Sequence, residues 1–171
     1  MKEAKNTLLM LAGTAVLLIV IGLFLNPQSS PITLPSLTTK VTPAPENKIV
    51  RINDLDITVS LADTPAKRKQ GLSGVESLGE TEGMLFLFDK ENQTSPFWMK
   101  DMAFAIDIIW INDGKVAEIT ENVQPPQAGT RDAELTLYAP NSPYNYVLEV
   151  AAGFSKQANI TEGDAVVNLG F

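Results

Sequence analysis

The chain has no cysteine and no histidine, and these two absences narrow its chemistry sharply. Without thiols there is no disulfide, no cysteine–metal site, no thiol nucleophile and no lipidated cysteine anchor. Without imidazole there is no Ser-His-Asp triad and no histidine metal centre, so any acid or base must be Asp, Glu, Lys or Tyr. An all-oxygen Ca²⁺ or Mg²⁺ site would need an acidic loop, and no stretch has EF-hand spacing. No metal and no cofactor are expected. Positive charge is also scarce: from Lys48 onward ten Lys and Arg face eighteen Asp and Glu, a balance of −8. With no Lys/Arg cluster to offset that balance, nucleic acid is not an expected partner.

One long apolar run is present. Residues 7–25 carry no charge and are long enough to cross the hydrocarbon core of a bilayer. Lys2 and Lys5 precede the run, so the positive-inside tendency predicts residues 1–6 in the cytoplasm, a transmembrane helix over 7–25, and everything after Asn26 outside the cytoplasmic membrane. A cleaved signal peptide is the rival reading. Its apolar region is usually shorter, and no small-x-small cleavage site follows, the next residues being Asn26, Pro27 and Gln28. Residues 26–47, with Pro27, Pro31, Pro35, Pro43 and Pro45, read as an extended tether. Residues 48–171 are about the size of one ordinary domain.

That domain is organised around Ser95 to Asn112, SPFWMKDMAFAIDIIWIN. A strand from Phe104 would put Phe104, Ile106, Ile108 and Trp110 on one face and Ala105, Asp107, Ile109 and Ile111 on the other. Both faces are apolar except for one carboxylate, the pattern of a central strand. A buried, ionised Asp107 requires a cation, backbone donors or water. Lys100 and Arg68 are the candidate cations.

Around this strand the patterning predicts a hairpin from 48–52 to 55–61 with its turn at Asn53-Asp54. A short helix should follow, opened by Thr64-Pro65, carrying Arg68 and stopped by Gly71. Gly83 to Phe88 is expected as a second central strand beside the first. Asp113-Gly114 is a strong hairpin signal leading into 115–121. Residues 122–134 read as a polar loop over a site. Further expectations are strands at 135–138, 144–150 and 165–171 and a helix over 153–159; in the second strand Tyr144, Tyr146, Leu148 and Val150 share one face. The sum is an α+β, mainly antiparallel β domain, barrel-like or sandwich-like, with two short helices.

Several of these elements resemble a known family. Arg68 with Gly71-Leu72-Ser73-Gly74, Gly83-Met84-Leu85-Phe86, Phe97-Trp98-Met99-Lys100, Ile106-Asp107-Ile108-Ile109, Leu148-Glu149 with Gly153, and Gly163-Asp164 are similar to the uncharacterised family called domain of unknown function 192. The resemblance implies a small, mainly β domain, often secreted or behind an N-terminal membrane segment, with no established activity. Two positions depart from the family pattern: Asp101 stands where relatives usually have Asn, and Val75 where those with this glycine turn usually carry Arg. The second departure removes a guanidinium that could bind an anion.

Three functional readings follow. A binding module for an envelope glycan or an extended peptide would use Trp98 as an apolar platform, with Tyr138, Tyr144 or Tyr146, beside Arg68, Lys100, Asp101 and Asp107. The plain alternative for Trp98 is a core aromatic leading into the strand, and for Lys100 with Asp107 a buried structural pair. A carboxylate-dependent hydrolase of envelope polysaccharide would pair Asp101 with Asp107. Along one straight strand, however, six residues separate them by roughly 20 Å, beyond the range glycosidases use. A non-catalytic assembly module would expose a sheet edge or an apolar patch. The sequence ranks binding ahead of catalysis.

Overall fold

The structure, a computed structural model, describes residues 48–169. The expected membrane segment 7–25 and tether 26–47 lie outside the described residues. Among the described residues no helix is long and apolar enough to cross a membrane.

The described residues form seven strands and two short α-helices: β1 (Lys48–Ile52), β2 (Leu55–Ala62), α1 (Pro65–Gln70), β3 (Glu82–Leu87), β4 (Ile106–Asn112), β5 (Lys115–Val123), β6 (Tyr146–Ala151), α2 (Phe154–Gln157) and β7 (Val166–Val167). They form one sheet in the order β5-β4-β6-β3-β2-β1-β7. The sheet curls until its ends meet. Val116 N–H donates to the Asp164 carbonyl at 2.9 Å, and Val166 N–H to the Gly114 carbonyl at 2.8 Å, giving a nearly closed, barrel-like sheet.

The sheet is mixed rather than wholly antiparallel, because β2 and β3 run parallel. The intervening segment, long enough to return the chain to its starting end, contains α1. That helix forms as its sequence dictates: Thr64 Oγ1 accepts the Lys67 amide at 3.2 Å, Pro65 opens the helix, and Gly71 ends it at φ 52°. The β4–β5 turn likewise has positive φ at Asp113 and Gly114, as a type I′ hairpin requires.

Two apolar cores lie on opposite faces of the sheet. Val50, Ile52, Ile57, Val59, Leu85, Ile109, Ile111, Leu148 and Val150 fill the barrel interior. Ile106, Ile108, Trp110, Phe86 and Val147 face outward, where Leu72, Met99 and Tyr144 cover them. The doubly apolar pattern of β4 is therefore one face in each core.

Several expectations need correction. β4 is flanked by β5 and β6, not by β3; the later strand β6 inserts between the two apolar runs and satisfies both. The chain bends at Asn145, whose amide donates to the Ile111 carbonyl at 2.8 Å, so Tyr144 joins the outer core while Tyr146 packs against the inner one. No strand spans 135–138: a 3-10 turn at Asp132–Glu134 precedes a single bridge between Tyr138 and Phe97. The closing strand shrinks to the two residues of β7.

Candidate functional site

The outer core is roofed by the Gly71–Gly74 turn and the segment from Ser95 to Met102. The two are latched: Ser73 Oγ donates to the Lys100 carbonyl at 2.7 Å, and the Gly74 amide to the Asp101 carbonyl at 3.3 Å. Phe97 is inserted below as an aromatic hub, edge-on to Phe86 at 4.9 Å and to Trp110 at 5.4 Å. Tyr144 packs on Trp110 at 5.0 Å and donates its hydroxyl to the Ser95 carbonyl at 2.6 Å. Burial pushes the Tyr144 hydroxyl up to about 12, so it stays a neutral donor.

Trp98, next to this half-buried hub, remains 45% exposed. It separates two adjoining hollows. The first, about 220 Å³, lies between α1 and residues 95–102, with Phe86, Phe88, Phe97, Tyr144 and Glu149 among its lining. The second, about 480 Å³, is more polar, with Lys69, Gln70, Lys100, Asp101 and Asp132. Lys69, Gln70, Ser73 and Trp98 line both, so the two form one groove crossing the indole. Asp132 of the polar loop and Leu135 just beyond it also line the second hollow.

The candidate residues separate into two groups. Trp98, Lys100 and Asp101 line the groove. Arg68 forms part of its rim: its guanidinium donates to the Leu87 carbonyl at 2.6 Å and the Asp63 carbonyl at 3.1 Å, approaches Asp89 at 3.4 Å, and lies over the Phe88 ring at 5.5 Å. Lys100 pairs with Asp132, which raises the lysine above its ordinary range.

Asp107 belongs elsewhere. It is fully buried, and neither Lys100 nor Arg68 is its partner, contrary to the pairing considered from sequence. Its Oδ1 accepts the amides of Asn122 at 2.8 Å and Gly153 at 3.1 Å, and its Oδ2 accepts Ser155 at 3.0 Å. Backbone donors alone satisfy the charge. The structure does not bring Asp101 and Asp107 to a common cavity: the first stands exposed in the second hollow, while the second ties β4 to β5 and to the start of α2.

Glu149 was missed as a site residue. On β6 it shares a face with Val147, a face readable from sequence as the polar, outward one. Outward is correct, but the 95–102 roof covers that face, leaving Glu149 5% exposed. Its carboxyl meets no hydrogen-bond or ion-pair partner among the described residues, and burial pushes it up to about 8. The signal in the sequence was a lone carboxylate within a run of strand-forming apolar residues. Among the described residues, no group of three or more His, Cys, Asp or Glu is arranged to hold a metal.

Residues 48–168 match the family model of domain of unknown function 192, DUF192, described as an uncharacterized ACR. Two solved structures are similar. A protein from Sinorhizobium meliloti 1021, described as a candidate transcription regulator, is 29% identical, with a TM-score of 0.66 over 75% of this chain and 98% of that one. A protein of unknown function from Novosphingobium aromaticivorans DSM 12444 is 28% identical, with a TM-score of 0.61 over 71% of this chain and 84% of that one. No curated protein matches.

Proposed function

The chain belongs to the DUF192 family, and from that premise we propose that residues 48–171 form a ligand-binding module that takes an extended peptide across Trp98. Residues 7–25 would hold it outside the cytoplasmic membrane. The observation that carries this reading is an indole left 45% exposed between two hollows, while the preceding residue, Phe97, packs against the outer core. A flat ring set in a groove offers large contact area for little ordering cost.

A peptide suits the groove better than a sugar. The first hollow has mostly aromatic and aliphatic walls with one buried carboxyl, so most hydroxyls of a pyranose placed there would lose water without finding partners. An apolar side chain stem would not. The second hollow, with Lys69, Gln70, Asp101 and the Lys100–Asp132 pair, offers donors and acceptors to a passing backbone. The hydrolase reading has less support, since its two carboxylates share no cavity. The balance of −8 from Lys48 onward favours basic peptides over acidic ones.

The test is a titration of the full-length chain, in a neutral detergent, with matched panels of unstructured basic peptides and neutral envelope-type oligosaccharides. The readout is the Met102 methyl resonance at the wall of the first hollow, with Trp98→Ala as control. Peptide-dependent shifts lost in the variant support the module; saturation by oligosaccharides alone overturns the peptide assignment.

A further inference from the structure

The first hollow contains a group that the fold itself does not use. Glu149 is 95% buried, yet among the described residues neither a backbone amide nor a side chain hydrogen-bonds its carboxyl. Asp107, buried to a similar degree on the neighbouring strand, receives three amides. A carboxyl set so deep without a partner is costly to ionise, an expense an apolar residue would relieve, and its oxygens are not among the fully enclosed unpaired atoms. The carboxyl is also open to the hollow, since Glu149 is one of its lining residues.

The charged and titratable surroundings are sparse. From α1 come Arg68 and Lys69; Arg68 is engaged by the Leu87 and Asp63 carbonyls and Asp89, and Lys69 is exposed at the rim. From the outer core comes Tyr144, whose hydroxyl is committed to Ser95. The strand neighbours in register with Glu149 are Ile108 on β4 and Met84 on β3, neither of them charged. Lys100 and Asp101 lie beyond Trp98, in the second hollow. Among the described residues no cation is placed to neutralise Glu149, as its upward shift from burial alone reflects.

We propose that the first hollow binds the primary ammonium of an aliphatic side chain, such as a lysine of the bound peptide, with the ammonium on Glu149 and the methylene stem against the aromatic walls. This deepens the peptide-binding reading and relies on it for the rest of the ligand. The rings of Phe86, Phe88, Phe97, Tyr144 and Trp98 suit a cation as well as a hydrocarbon chain. Phe88 already has the Arg68 guanidinium over it at 5.5 Å. An ammonium arrives protonated, so Glu149 releases its own proton to solvent on binding and the pair forms as carboxylate with ammonium. One proton is lost per ligand bound wherever the free carboxyl is protonated. Affinity for the ammonium therefore rises up to about tenfold per pH unit until the Glu149 titration is passed, then levels off. A protonated Glu149 donating to a carbonyl would give the opposite slope, and purely apolar binding would give none.

The experiment titrates the full-length chain in neutral detergent from about pH 6 to pH 9. Its probes are the capped peptide Ala-Ala-Lys-Ala-Ala, its norleucine counterpart, and n-pentylammonium, each with wild type, Glu149→Gln and Trp98→Ala. The expected result is lysine peptide bound at least tenfold more tightly than norleucine peptide, affinity increasing with pH, and both the preference and the slope absent in Glu149→Gln. Equal binding of the two peptides, sensitive to Trp98 but not to Glu149 or pH, overturns the ammonium site and leaves the groove. Glu149-dependent binding of n-pentylammonium without any peptide binding upholds the ammonium site and overturns the peptide reading. An affinity that falls with pH, or no response to any probe, overturns the proposal.

Discussion

The Asp107 carboxylate holds the Ser155 amide at 3.0 Å, fastening the start of β4 to the first turn of α2 across 48 residues of sequence. The same side chain receives Asn122 and Gly153. Gly153 adopts φ 83°, a left-handed conformation that presents its amide and that a residue with a Cβ adopts only under strain. One carboxylate thus sets the relation of β4, β5 and α2.

Replacing Asp107 by Asn keeps the volume but turns a donor toward at least one of the three amides. Breaking such a buried charge-assisted cluster should destabilise the domain by about 3 kcal/mol. Urea denaturation of wild type and variant measures it. Probe binding in the groove should be unchanged where the variant remains folded, since Asp107 faces neither hollow.

Glu149 carries a prediction for pH. Its folded carboxyl is pushed up to about 8 by burial, whereas an unfolded glutamate titrates near the ordinary value of about 4.3. Between these values the folded state holds the proton more tightly than the unfolded state. Stability from this group is therefore fully present below the unfolded value, falls as pH rises, and levels off above about 8. The absence of histidine and cysteine leaves this window free of their titrations. Urea midpoints at pH 5, 7 and 9 should decline by an amount equivalent to a few kcal/mol in wild type and stay nearly level in Glu149→Gln. A flat wild-type profile would show that the carboxyl is not buried in solution.

The two tryptophans should behave oppositely. Trp110 is fully buried, and its indole N–H donates to Thr120 Oγ1 at 2.9 Å. Trp110→Ala should cost about 3–5 kcal/mol. Trp98→Ala should cost less than about 1 kcal/mol, because much of the ring already faces water. Thermal unfolding of the two variants side by side distinguishes a structural indole from one held for a ligand.

Gly83 links the fold to the site. A Cβ there would lie 2.7 Å from the Glu149 carbonyl oxygen, a distance that backbone must move to relieve. Gly83→Ala should force β3 and β6 apart, lower stability by about 1–3 kcal/mol, and disturb the Glu149 carboxyl. Calorimetry would reveal the first effect, and a changed pH profile of probe binding the second.

Local chemistry determined much of the domain. The Thr64-Pro65 start and Gly71 stop specified α1, Asp113-Gly114 specified the hairpin, and the two-sided apolar run of β4 announced a central strand, because each depends on residues near in sequence. The family, too, was readable from its motifs. Tertiary structure decided what strand patterning cannot encode: that β6 enters between β3 and β4, that β2 and β3 run parallel, and that the ends of the sheet meet. It also decided the roles of the carboxylates. Alternation assigns a side chain to a face but does not say what later covers that face. Asp107 became structural because three amides from distant segments converge on it, and Glu149 became the candidate binding group because residues 95–102 close over it and bring no partner.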